Sequence, residues 1–158
     1  MLTAARITEE VDGYRRRVDE LYAELMGWIT ERQPDALFHH TPVELSEEAT
    51  GVYQLQSLEV VLPGLPLVRF IPRGMFLVGA RGRVDVRSRL GREVLLWVEA
   101  GGQELSTETN GDEIEQVIGR PIFRDVKEGW AWTDSRRGNV LSLGPEVLWD
   151  RILVPLTQ

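Results

Sequence analysis

The chain has no cysteine, two histidines and a single lysine, Lys127, among its 158 residues. The missing cysteine excludes disulfides and thiolate metal sites. The histidines, His39 and His40, are adjacent, and neighbouring side chains on an extended chain point to opposite sides. No third histidine stands at ligand spacing, so neither a metal site nor a cofactor is expected. No apolar run approaches the length of about 18 residues needed to span a membrane, so no membrane partner is expected. The opening stretch, MLTAARITEEVDGY, lacks the apolar core of a secretory leader, and a cytoplasmic location is expected. Neither a Gly-Lys-Ser/Thr phosphate loop nor a Gly-x-Ser-x-Gly nucleophile motif occurs. Gly79-Ala80-Arg81-Gly82 has the glycines of a phosphate loop but runs into an alternating strand rather than a helix.

Charge is present but unevenly spread. The net charge of −7 argues against broad nucleic-acid binding, which needs many phosphates neutralised. Residues 1–50 carry 5 basic and 11 acidic side chains, residues 51–100 carry 7 and 4, and residues 101–158 carry 6 and 10. A basic centre is thus flanked by acidic ends. It serves either internal charge balance or an anionic partner, and the acidic ends of a second copy could cover it in a homodimer.

The length suits one domain spanning 1–158. Residues 4–33 read as a helix: Ile7, Val11, Tyr14, Val18, Leu21, Leu25 and Trp28 repeat at alternating spacings of four and three and form one stripe. Thr3 or Thr8 can cap its start. Gly13 and Gly27 each cost about 1 kcal/mol against alanine and favour bending or fraying. The stripe faces the protein's own sheet or a second copy. Residues 34–50 read as a polar connection with one helical turn at Pro42–Glu48.

From Gly51 the pattern alternates. Strands are predicted at 52–62, 67–71, 75–78, 81–89 and 93–99, with short connections that imply an antiparallel meander within the 51–143 sheet region. With Leu90-Gly91-Arg92 as the turn, setting the valine-rich sides of both strands inward predicts that Val84 and Val86 share a face with Val94, Leu96 and Val98. It then places Arg81, Arg83, Asp85, Arg87 and Arg89 on the other face, opposite Glu93 and Glu99, in cross-strand ion pairs. A short helix is predicted at 112–118, a strand at 121–126 and a hairpin from 129–133 to 139–143. A final helix at 145–154 is expected to stop at Pro155. The fold class is α+β: a long N-terminal helix on a curved, mostly antiparallel sheet of about six to eight strands, with a short C-terminal helix.

Two constellations carry chemistry. The stretch Gly82-Arg83-Val84-Asp85, then Leu95 to Glu99, resembles the strand–turn–strand core of restriction-endonuclease-like nucleases. That resemblance implies a divalent metal held by Asp85 and Glu99, but glycine stands at 101 where the family has its lysine. The second is the 129–143 hairpin, where Trp130 and Trp132 share one face and Arg136 and Arg137 sit at the tip. Tryptophan and arginine are the common anchors of interfaces, while a tryptophan face equally serves to close a core.

The wider pattern, Ile71-Pro72-Arg73-Gly74, Gly79 to Asp85 and Gly129 to Gly138, resembles small bacterial α+β proteins to which no function is assigned. It implies a shared fold and transfers no catalytic residue. The expected function is a non-enzymatic interaction module, an accessory, immunity-like or regulatory subunit. It would bind a protein through Trp130, Trp132, Arg136, Arg137, Arg81, Arg83, Arg87 and Arg89. The alternative is a degenerate metal-dependent nuclease using Asp85 and Glu99.

Overall fold

The computed structural model describes residues 3–75, 81–99, 127–134 and 136–158. Helix α1 (Ala4–Arg32) starts at Thr3, whose hydroxyl accepts the Arg6 N–H at 3.1 Å. It runs unbroken through both glycines, because its buried stripe outweighs them. Tyr14, Val18, Leu21, Leu25 and Ile29 are fully buried or nearly so, and each contributes about 2 kcal/mol. Tyr22 and Ile29 widen the stripe beyond the positions read from the sequence.

The stripe lies on an antiparallel sheet whose seven strands among the described residues follow sequence order: β1 (Leu37–Glu47), β2 (Gly51–Val61), β3 (Val68–Gly74), β4 (Arg83–Ser88), β5 (Gly91–Val98), β6 (Gly129–Thr133) and β7 (Val140–Ser142). The architecture is therefore α+β, with a helical stretch at the C-terminus. The expected strand at 75–78 lies largely outside the described residues, and the expected helix at 112–118 and strand at 121–126 lie wholly outside them.

Three expectations are corrected. Residues 37–47 are not a connection with a helical turn but a strand, paired with β2 at all eleven positions. The C-terminal stretch does not stop at Pro155. It runs as Pro145–Val147, a wide π turn over Leu148–Leu153, and Val154–Thr157. The Val154 N–H bonds to Trp149 O, five residues back, and this wider winding lets the helix carry a proline in its last turn. The third correction concerns the β4–β5 hairpin. Ser88 pairs with Gly91, so the loop is Arg89-Leu90 and Asp85 lies opposite Val94. A one-residue change in register exchanges the faces of a strand. Leu95 and Trp97 therefore join Val84 and Val86 toward α1, and Val94 and Leu96 share the outer face with the arginines.

The β3–β4 ladder is irregular between Pro72 and Gly74, where Gly74 has φ +145°. The Tyr14 hydroxyl fills this gap. It accepts the Gly74 N–H at 3.2 Å and donates to Arg83 O at 2.7 Å, and Gly74 and Arg83 are register partners. Glu47 accepts the next N–H, from Met75, at 3.1 Å, and its carboxylate also takes the Tyr53 hydroxyl. Gly82 makes room for the same tyrosine. A Cβ there would stand 2.9 Å from Tyr14 Cε1 and 3.0 Å from Cδ1. An aromatic ring pinned at its hydroxyl cannot swing aside. Gly82→Ala is expected to cost about 1–3 kcal/mol, read as a lower urea midpoint.

Candidate functional site

The outer face of the sheet, away from α1, concentrates arginine. Glu59 on β2 pairs with Arg69 on β3, Arg69 with Arg87 on β4, and Arg87 with Arg92 on β5. Three arginines thus lie directly side by side on adjacent strands. Directly opposed like charges destabilise a sheet. Glu59 relieves one end, with its carboxylate 3.2 Å from Arg69 Nε.

One row further along the strands, Asp85 is 1% exposed beneath its neighbours. Its Oδ1 accepts from Arg83 Nε at 2.7 Å. Its Oδ2 lies 3.5 Å from Arg73 Nε and 3.8 Å from Arg87 Nη2. Those two distances are too long for hydrogen bonds, so Oδ2 is held by charge alone. The arginine side chains of this cluster remain partly open to solvent: Arg69, Arg73 and Arg87 expose 41–48% of their surface and Arg83 exposes 22%.

Arg92 connects this row to a groove of about 550 Å³ at the end of the sheet, between the β4–β5 turn, the turn after β6 and the C-terminal helix. Arg92, Arg136, Arg137 and Arg151 line it, together with Trp132 and the carboxylates of Glu93, Asp134 and Asp150. None of these four arginines makes an ion pair among the described residues. Trp132 forms part of the wall, donating from its indole N–H to Glu93 Oε1 at 2.8 Å, with the Arg151 guanidinium 5.6 Å from its ring centre. Burial pushes the Glu93 carboxyl above the usual carboxylate range, and Asp134 adds to it, while the Trp132 N–H and Arg136 pull the other way. Asp134 shapes the tip by accepting the Arg136 backbone N–H at 2.9 Å.

The residues expected from the sequence separate into groups. Arg83 and Arg87 belong to the outer-face cluster. Arg136 and Arg137 are exposed in the end groove. Arg89 is exposed in the β4–β5 turn. Arg81 precedes β4 and leaves the cluster, reaching Glu10 on α1 at 3.4 Å and Glu99 at 3.1 Å. The two tryptophans do not stand out from the surface as anchors. They lie opposite Trp97 and Leu95 on the helix side and are 8% and 6% exposed. The Trp130 indole N–H donates to Arg17 O at 3.1 Å.

The nuclease pairing is not assembled. Asp85 lies opposite Val94, so Glu99 is five residues farther along, roughly 16 Å at strand rise, and of the opposite parity. The two carboxylates are held by different arginines. Among the described residues no group of three or more metal-ligating side chains is gathered. His39 and His40 do face apart, His39 opposite Glu59 and His40 with its ring 6.0 Å from that of Tyr22.

Sequence reading missed Arg69, Arg73, Arg92 and Arg151. The alternation Arg69-x-Ile71-x-Arg73 carried the signal for the first two, whereas Arg92 was assigned to a turn. Among the described residues no helix is long and apolar enough to cross a membrane. No family model, curated protein or solved structure matches this chain.

Proposed function

We propose that the protein is a non-enzymatic interaction module whose outer face takes an acidic segment of a partner protein. The observation that carries this reading is the in-register row Arg69–Arg87–Arg92, three like charges set directly opposite one another. Such a row costs stability in the free protein, and a bound anionic chain removes the cost. The row continues into the end groove through Arg92, where Arg136, Arg137 and Arg151 extend it. A short acidic peptide fits better than a long nucleic acid. The whole chain carries −7 and repels an extended polyanion, while a peptide a few residues long meets only the basic face. The separation of Asp85 from Glu99 leaves no observation in favour of the nuclease alternative.

The test is fluorescence anisotropy with a labelled, glutamate-rich peptide of about twelve residues at low salt. Saturable binding is expected, weakening as salt rises. Reversing the row with Arg69→Glu, Arg87→Glu and Arg92→Glu should lower affinity at least about tenfold, from roughly 0.5–1 kcal/mol per exposed charge contact. Arg16→Glu, exposed on α1, should leave it unchanged. Equal binding by the triple variant would remove the reading. Tighter binding of a single-stranded DNA of matched length would replace it with a nucleic-acid one.

A further inference from the structure

A second groove, of about 350 Å³, lies on the opposite side of the sheet, where α1 passes β5 and β6. Its α1 wall is acidic, while Arg17, Lys127 and Glu128 also line it. On α1, Glu20, Glu24 and Trp28 follow one another at four-residue spacing and form one ridge along the groove. The facing wall is Trp97 and Trp130, which are directly paired across β5 and β6. Neither Glu20 nor Glu24 has an ion pair among the described residues. Like charges four apart on a helix destabilise it by about 0.2–0.5 kcal/mol, so this ridge also carries unrelieved repulsion.

One group already sits in the groove and shows what it accepts. The Arg17 guanidinium lies 4.4 Å above the centre of the Trp97 ring. Burial pulls that guanidinium down from its ordinary affinity for a proton, and Arg81 adds to the effect. Arg17 is half-buried there, and cation–π attraction strengthens as water is excluded.

We infer that this groove is a binding site for an arginine side chain on a basic segment of a partner protein. Two features select arginine over other cations. The carboxylates of Glu20 and Glu24, unpaired among the described residues, suit a planar donor fork, and the half-buried indoles of Trp28 and Trp97 offer a flat wall beside them. A quaternary ammonium ion would use the indoles but has no N–H to give the carboxylates. The site is independent of the arginine face, with which it shares no residue, and the two differ in the sign of the charge they attract.

The experiment titrates the whole protein with a short peptide carrying two arginines, following tryptophan fluorescence and heat. Its citrulline counterpart and tetramethylammonium are the comparison ligands. Saturable binding of the arginine peptide is expected, with the citrulline peptide at least about tenfold weaker. Glu20→Gln with Glu24→Gln should weaken the arginine peptide at least about tenfold while leaving the thermal midpoint close to wild type. Asp19→Asn with Glu31→Gln removes the same charge from α1 outside the groove and should change affinity less than about twofold. The inference fails if the wild type shows no saturable binding, if both double variants lose affinity equally, or if citrulline binds as well. Displacement of the peptide by an equal concentration of tetramethylammonium would also overturn it, in favour of a small ammonium ligand.

Discussion

Tyr14→Phe is expected to destabilise the fold by about 2–4 kcal/mol, well beyond the roughly 1 kcal/mol of an ordinary hydrogen bond. The reason is where the hydroxyl sits. Gly74 and Arg83 are register partners at the irregular end of the β3–β4 ladder, and the Tyr14 oxygen bridges the N–H of one and the C=O of the other. The substitution keeps the ring and its packing but leaves a buried donor and a buried acceptor without partners. Each such group costs about 1–3 kcal/mol. Tyr22→Phe is the matched comparison. That hydroxyl donates to Gln56 O at 2.7 Å and lies 3.3 Å from Phe70 O, so its loss orphans no N–H. It should cost about 1 kcal/mol. Urea midpoints at constant m-value separate the two. A Tyr14→Phe midpoint equal to wild type would mean that the strands close and pair Gly74 with Arg83 directly.

The role of Tyr14 was half legible in the sequence. Its place on the apolar stripe of residues 4–33 follows from spacing, because a helix repeats every 3.6 residues whatever it packs on. Its hydroxyl partners do not, because they depend on an irregularity between Pro72 and Gly74 about sixty residues away. Strand β1 was not legible at all. LFHHTPVELSE holds a proline and two histidines and is mostly exposed, and only its last five residues, Val43 to Glu47, alternate. Pairing along the whole of β2 determines it, and local preference gives way to that context.

The arginine face was visible in composition and hidden in register. Arg83, Asp85 and Arg87 share a face by simple alternation, and that holds. Which residues oppose them depends on whether the β4–β5 turn has two residues or three. With three, Arg87 would lie near Glu93 and the face would neutralise itself. With two, Arg87 lies opposite Arg92, and Glu93 turns inward to the Trp132 N–H. Glycine at 91 is compatible with either turn. The pairing of β5 with β6 settles it, burying Leu95 against Trp132.

Asp85→Asn should move stability and binding in opposite directions, and the contrast tests whether the arginine row is more than a structural cluster. The wild-type carboxylate is 1% exposed, with Arg83 at 2.7 Å and Arg73 and Arg87 within 4 Å. Asparagine has the same shape, and its oxygen still accepts from Arg83. Its NH₂ then points at the donors of Arg73 and Arg87, so a buried donor is left without an acceptor and a charge-assisted hydrogen bond becomes a neutral one. The expected loss is about 2–3 kcal/mol. It stays below the 3–5 kcal/mol typical of breaking a fully buried pair, because the arginines can turn toward water. The same change removes a negative charge from beneath the row. At a separation of roughly 8 Å and a surface dielectric between 40 and 80, this favours a bound carboxylate by about 0.5–1 kcal/mol, a two- to fivefold gain in affinity for the acidic peptide. Denaturation and anisotropy on one preparation read both quantities. Lower stability with tighter binding is the signature of a docking face that Asp85 holds in check. Lower stability with weaker binding would show instead that the arginines need Asp85 to aim them, and the row would no longer serve as the docking surface.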